Sequence, residues 1–97
     1  MLETFTHATF AERVGESFRI HPEGAPPLEL RLMEATELGG GGGGRRAPFS
    51  ILFRGPMRPV LPQRIYRLEH EAMGSFELFL VPIGPDGEGM RYEAVFT

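Results

Sequence analysis

Proline and glycine are spaced so closely in this chain that most of its secondary-structure elements must be short. Nine prolines and thirteen glycines are distributed over 97 residues. Proline lacks a backbone donor and glycine weakens the interior of helices and strands, so each tends to interrupt regular structure. The segments between them are rich in β-branched and aromatic residues, which is typical of short β-strands. A chain of this length is expected to form one domain, here a single β-domain over residues 1–97.

The alternation of apolar and polar residues predicts where the strands lie. It is clearest over residues 28–32 and breaks at Met33, where a β-bulge or bend is expected. Further strands are predicted over residues 17–21, 49–54, 65–70, 76–81 and 90–96. Five or six antiparallel strands in so short a chain predict a mainly β fold, either a small antiparallel barrel or a sandwich.

Residues 2–14 differ from the rest because their spacing is helical. Their large apolar residues recur at intervals of four and five, at Phe5, Phe10 and Val14. Thr9 is followed three residues later by Glu12, which is the spacing of a capping box. We expect one short N-terminal helix of one or two turns, ending before Gly15.

Six consecutive glycines, residues 39–44, stand before Arg45 and Arg46. A phosphate-binding loop of the P-loop type would end in Gly-Lys-Ser/Thr and continue into a helix. Here the tract leads through Pro48 into a predicted strand. The sequence therefore favours a flexible glycine-rich loop over residues 39–46 between two strands.

Matching the apolar faces limits how the last three strands can pair. One register of the first hairpin sets Glu69 against Glu77, whereas the other sets Arg67 against Glu77 and is favoured by charge. For the second hairpin, a turn at the Pro-Asp-Gly sequence predicts that Leu80 lies beside Tyr92.

Composition excludes several classes of function. All ten basic residues are arginine, and thirteen acidic residues give a net charge of −3, which argues against nucleic acid as a partner. The absence of cysteine excludes disulfides, thiolate zinc sites and a cysteine nucleophile. No apolar run approaches the roughly 18 residues of a membrane helix, so no membrane partner is expected. With no visible signal peptide, the protein is expected in the cytoplasm, or exported without a cleaved signal.

No group of residues has the pattern of a catalytic, cofactor-binding or metal site. In Glu69-His70-Glu71 the side chains alternate across a strand and cannot converge on a metal, and His70 is expected at the surface or rim. Asp86 and Glu88 supply too few oxygens for a calcium loop. No serine lies in a Gly-x-Ser-x-Gly motif. We therefore expect no catalytic residue, cofactor or metal, and a protein that is not an enzyme.

Apolar residues on both faces of the predicted sheet indicate an interface. The second face carries four of them, at Leu52, Phe79, Val81 and Val95. A domain this small covers only one sheet face well, so such residues should otherwise be polar. Either the N-terminal segment folds over this face or another subunit does. We expect a homo-oligomer, with these four residues as its candidate interface and another protein as an alternative partner.

Several segments resemble an uncharacterised family of bacterial proteins of about this length. The resemblance is carried by Phe-Ser-Ile-Leu-Phe-Arg-Gly-Pro at 49–56, Tyr-Arg-Leu-Glu-His at 66–70 and Met-Arg-Tyr-Glu-Ala-Val-Phe at 90–96, and it covers nearly the whole chain. It implies no catalytic residues. Members are often encoded near phage-tail-collar-like proteins, so the resemblance implies a tail-like or surface assembly.

Three hypotheses of function remain at this point. The first is a non-enzymatic structural or interaction module that acts through homo-oligomeric or tail-like assembly, favoured by a filled barrel and an exposed apolar face. The second is a small-ligand-binding β-barrel, favoured by a cavity of at least ~300 Å³ with convergent polar groups. The third is a cofactor-free enzyme, favoured by a perturbed carboxylate or histidine in such a cavity.

Overall fold

The computed structural model describes residues 5–39 and 47–97. In chain order the elements are α1 (His7–Ala11), β1 (Ser17–His21), β2 (Leu28–Glu37), β3 (Phe49–Gly55), β4 (Arg64–His70), β5 (Gly74–Pro85) and β6 (Met90–Phe96). The predicted strands at 17–21 and 90–96 have these bounds, whereas the one at 76–81 is longer at both ends. From residue 40 to 46, the predicted flexible loop lies outside the described residues.

The six strands form a closed antiparallel barrel in the order β1-β2-β3-β6-β5-β4, and β4 pairs with β1 to close it. This confirms the mainly β prediction and identifies a barrel rather than a sandwich. Because β3 and β4 are not neighbours, the segment between them, residues 56–63, has to cross from one side of the barrel to the other. Closure lets each strand pair on both sides, which suits a chain that is too short to cover exposed sheet edges.

Alternation along each strand sends the apolar residues into the barrel. On β3 the buried residues are Phe49, Ile51, Phe53 and Gly55, and on β6 they are Tyr92, Ala94 and Phe96. Within the described residues the buried side chains are all apolar or aromatic, and no charged group is buried. The barrel interior is therefore filled by side chains.

Helix α1 closes one end of the barrel with Phe10, which is fully buried. The Phe10 ring packs within 5.4–6.4 Å of five other rings, those of Phe5, Phe18, Phe49, Phe76 and Phe96. The short helix cannot be stable by itself and depends on this burial. The prediction that Phe10 belongs to a short N-terminal helix is thus confirmed.

The cap of α1 differs from the predicted one. Thr6 is the N-cap, and its hydroxyl accepts from the Thr9 backbone N–H while the Thr9 hydroxyl accepts from the Thr6 N–H. Thr9 with Glu12 was therefore the wrong capping pair. A threonine at the third helical position performs the reciprocal role that glutamate usually has, so the motif begins three residues earlier.

The crossing segment closes the opposite end of the barrel with Leu61, which is 4% exposed. The Leu61 backbone N–H donates to the Tyr92 hydroxyl at 2.9 Å, and the Tyr66 hydroxyl donates to the Pro62 carbonyl at 2.5 Å. Two core tyrosines at the starts of β6 and β4 therefore hold this segment in place.

The predicted registers are right for one hairpin and wrong for the other. Between β4 and β5, Arg67 lies opposite Glu77, as charge pairing predicts. Between β5 and β6, Tyr92 lies opposite Pro82 and not Leu80. The four-residue turn closed by the Asp86 N–H and the Gly89 carbonyl, together with a bulge after Pro82, moves the register by two residues and keeps the faces unchanged.

Candidate functional site

The four residues of the predicted interface all lie on the outer surface, but they do not form one patch. Phe79 and Val95 are 50% and 55% exposed, whereas Leu52 and Val81 are half-buried. Glu93 pairs with Leu52 on one side and with Val81 on the other. A carboxylate therefore separates these two side chains, and the exposed apolar surface centres on Phe79 and Val95.

Ile65 extends that surface. It pairs directly with Phe79 across β4 and β5, and at 63% exposure it is the most exposed of the large apolar side chains in the described residues. Val95 pairs with Ser50, which pairs with Thr36. Carrying the β5–β6 register two residues beyond its last pair sets Phe79 level with Val95. We call this uncharged row across five strands the outer stripe; its members are Ile65, Phe79, Val95, Ser50 and Thr36.

Sequence reasoning missed Ile65 although the signal was present. The register that sets Arg67 against Glu77 also sets Ile65 against Phe79, because residue numbers in an antiparallel pair have a constant sum. The four predicted residues face outward, and Ile65 belongs to the same surface although it was not among them.

Helix α1 leaves the outer stripe exposed. Its backbone lies against β2 and β3, and the His7 ring donates from Nε2 to the Ala35 carbonyl at 2.9 Å on β2. Its largest side chain, Phe10, enters the barrel end rather than the outer face. The predicted alternative, in which the helix covers Phe79 and Val95, is wrong for the described residues.

Two adjoining surface grooves run along the seam between β1 and β4. One has a volume of about 480 Å³ and the other about 390 Å³, and both are lined by Ser17, His70 and Glu71. The larger groove is also lined by three charged residues, Arg19, Glu29 and Glu69. The grooves are open to solvent and lie outside the filled interior.

His70 lines both grooves. Its side chain is 5% exposed, its Nε2 lies 2.6 Å from Oε1 of Glu16, and its ring packs on Phe18 at 4.5 Å between centroids. Its Nδ1 accepts from the backbone N–H groups of Ala72 at 3.0 Å and Met73 at 3.2 Å. A backbone N–H can only donate, so Nδ1 carries no proton and Nε2 donates to Glu16. His70 is half-buried and lines two surface grooves at the end of β4, as expected of a rim residue, but these partners cover its side chain almost completely.

A second histidine and glutamate pair lies on the same seam. His21 Nε2 is 2.6 Å from Oε1 of Glu69, and Arg67 lies 3.6 Å from the other oxygen of Glu69. The hydrogen bond from His21 lowers the pKa of Glu69. The adjacent residues Glu69 and His70 thus point to different partners, as strand alternation predicts.

Each of the three histidines forms a hydrogen bond with another group of the protein. Within residues 5–39 and 47–97 no three histidine, aspartate or glutamate side chains gather as a metal site would require. In the same ranges no helix is both long and apolar enough to span a membrane. The arrangement supports structural and electrostatic roles for these side chains.

Barrel and surface together define a class: a small, closed, six-stranded antiparallel β-barrel plugged at both ends, with an uncharged stripe on its outer face. Comparison with protein families places the chain more narrowly. It belongs to the family described as Domain of unknown function (DUF6916), which matches residues 5–96. Neither the curated proteins nor the solved structures include a match.

Proposed function

We propose that this protein is a non-enzymatic assembly module whose outer stripe binds a second copy of the chain. The observation that carries the proposal is the direct pairing of Ile65 with Phe79, two apolar side chains that are 63% and 50% exposed. Outward positions on a barrel strand are ordinarily polar because they meet water. Burying this row in an interface removes its apolar surface from water.

The filled interior supports assembly over ligand storage. Side chains from the strands and the two end plugs, Phe10 and Leu61, occupy the space where a ligand-binding barrel would hold its ligand. The alternative of a small-ligand-binding barrel therefore rests on the surface grooves beside His70, which are open and carry charges of both signs. The one polar side chain described there as buried, that of His70, already bonds to Glu16 and to the amides of Ala72 and Met73.

The symmetry of the assembly distinguishes two forms of this proposal. One self-complementary patch produces a closed dimer, whereas a ring or a tail-like stack needs two different patches that contact each other. The crossing segment presents a second apolar surface, at Met57 and Val60, which are 49% and 50% exposed. The tail-like form of the proposal, suggested by the sequence resemblance, assigns Met57 and Val60 to that second contact.

The test is the mass of the protein in solution, measured by light scattering after size exclusion at tens of micromolar. We expect the wild type to exceed the monomer mass and Phe79→Glu to be monomeric, because a buried unpaired carboxylate opposes association. Val14→Glu is the control: Val14 is 47% exposed, lies in the segment after α1 and is not a member of the outer stripe. It should keep the wild-type mass.

A wild type that is monomeric throughout this range would overturn the proposal. A Phe79→Glu variant that is folded by circular dichroism and still assembled would overturn the assignment of the stripe. A dimer mass that Val60→Glu leaves unchanged supports the closed form, and a larger mass that falls to the monomer in Val60→Glu as well as in Phe79→Glu supports the stacked form.

A further inference from the structure

We propose that His70 is a proton-sensitive latch on the turn between β4 and β5, closed when the ring is neutral and opened when Nδ1 takes up a proton. The turn comprises residues 71–73 and joins His70 to Gly74, which pair across the hairpin. The proposal is independent of assembly through the outer stripe, since it concerns the other side of β4.

Both ring nitrogens of His70 are already engaged, and this fixes where a proton can go. Nε2 carries the hydrogen that is donated to Glu16, so the only ring lone pair that could take up a proton is on Nδ1. That lone pair accepts both turn amides, from Ala72 and Met73. Adding a proton to Nδ1 would turn an acceptor into a donor facing two other donors. The imidazolium form and the closed turn therefore exclude each other.

The two amides depend on this acceptor. Among the backbone hydrogen bonds outside the helix and strands of the described chain, none involves Ala72 or Met73. Loss of the Nδ1 bonds leaves these N–H groups to water, which they can reach because Ala72 is exposed and Met73 is half-buried. Opening of the turn is thus local, and the adjoining strand pairs from His70–Gly74 inward can persist.

The charged groups around His70 are mostly carboxylates. They line the two grooves together with it: Arg13 and Glu16 before β1, Arg19 on β1, Glu29 on β2, and Glu69 and Glu71 on its own hairpin. Arg13 lies 3.6 Å from Oε1 of Glu16, the oxygen that His70 contacts, and partly offsets its charge. Carboxylates outnumber guanidinium groups in this set.

The latch changes the two grooves, because His70 and Glu71 line both of them. In the neutral form the ring is held against Phe18 and the turn closes over its edge. In the protonated form Glu71 and Ala72 are free to move away, and the Phe18 end of the groove is uncovered. The device therefore couples the protonation of the His70 ring to the shape of this surface.

The experiment is a nuclear magnetic resonance titration of the full chain from about pH 8 to pH 5, the range set by histidine. Nitrogen shifts of the His70 ring should show the Nε2–H tautomer at the alkaline end. The amide shifts of Ala72 and Met73 should change with the midpoint of the His70 ring. Their exchange protection factors, which already correct for the intrinsic effect of pH, should fall about five- to tenfold, as for the loss of one hydrogen bond.

Two variants separate the latch from a general effect of acid. In His70→Asn the side-chain oxygen can take the place of Nδ1 without titrating, so protection of Ala72 and Met73 should no longer depend on pH. His21→Asn removes the neighbouring histidine of the seam and should keep the wild-type response. The proposal is overturned if the two amides do not follow the His70 midpoint, or if His70→Asn retains the pH response. If His70→Asn does not fold, the wild-type titration alone decides, because ring and amide midpoints come from the same sample.

Discussion

Arg54 and Asp86 tie the outer face of β3 to the turn between β5 and β6. The guanidinium donates from Nε to Oδ2 of Asp86 at 2.8 Å and also from Nη2 to the same oxygen. The other oxygen, Oδ1, accepts from the backbone N–H groups of Glu88 at 3.0 Å and Gly89 at 3.2 Å. The Asp86 carboxylate therefore both shapes the turn and anchors it to β3. The Glu88 side chain is 76% exposed, and its Oε1 lies 3.3 Å from Nη1 of Arg54.

Asp86→Ala should lower the melting temperature, because it removes the acceptor for Arg54 and for two turn amides at once. Glu88→Ala is the matched control in the same turn, and its effect should stay within about 0.5 kcal/mol. Thermal unfolding followed by circular dichroism compares the two. Equal shifts in melting temperature would mean that the turn does not depend on the Asp86 carboxylate.

The same carboxylate predicts a dependence of stability on pH. The hydrogen bond from Arg54 holds the pKa of Asp86 below its ordinary value of 3.8. The unfolded chain then binds the proton before the folded one does, so this contribution is present above the ordinary pKa and is lost as pH falls through the folded value. Asp86→Asn keeps an acceptor for the turn amides and removes the charge.

Urea unfolding of the wild type and Asp86→Asn at about pH 6, 4 and 3 measures this contribution. The stability difference between the two proteins should be largest at the highest pH and should shrink towards acid. A difference that stays constant over this range would show that the Asp86 pKa is not lowered by folding.

The fold was predictable to the extent that it depends on alternation and charge. Alternation located the strands and their inward residues, and the charges of Arg67 and Glu77 selected the β4–β5 register. The β5–β6 register was not predictable in the same way. The four-residue turn and the bulge after Pro82 together change the pairing by two residues and leave the side chains on their predicted faces, so the pattern of apolar residues is the same for both registers.

The candidate site was predictable in part. Outward apolar residues can be recognised from alternation, which identified Phe79 and Val95. Glu93 separates Leu52 from Val81 because of the β3–β6 and β5–β6 registers, so this separation could be predicted only once both registers were known. The burial of His70 depends on Glu16, which is 54 positions away in the chain, and no local pattern reports such a contact.

Leu78 and Phe79 are adjacent residues of β5 on opposite faces, and they test the assignment of inside and outside. Leu78 is 3% exposed and Phe79 is 50% exposed. Leu78→Ala should lower the free energy of unfolding by roughly 2–5 kcal/mol, since it leaves a cavity in a filled barrel. Phe79→Ala should cost clearly less, because its ring already meets water. Urea unfolding at low protein concentration, where assembly does not contribute, measures both, and similar losses would contradict the assignment of faces.

Tyr92→Phe tests whether the crossing segment is held by the core hydroxyl. Tyr92 is 1% exposed, and its oxygen is the acceptor for the Leu61 N–H at the plugged end of the barrel. Without it this buried N–H has no partner, which should cost about 1–3 kcal/mol in the free energy of unfolding. Tyr66→Phe is the matched control: it removes a hydroxyl that donates to the carbonyl of Pro62, an exposed residue that water can reach, so its cost should be smaller. Urea unfolding gives both losses, and hydrogen exchange at the Leu61 amide should accelerate only in Tyr92→Phe. Unchanged exchange at Leu61 in that variant would mean that another group accepts the hydrogen bond from the Leu61 N–H.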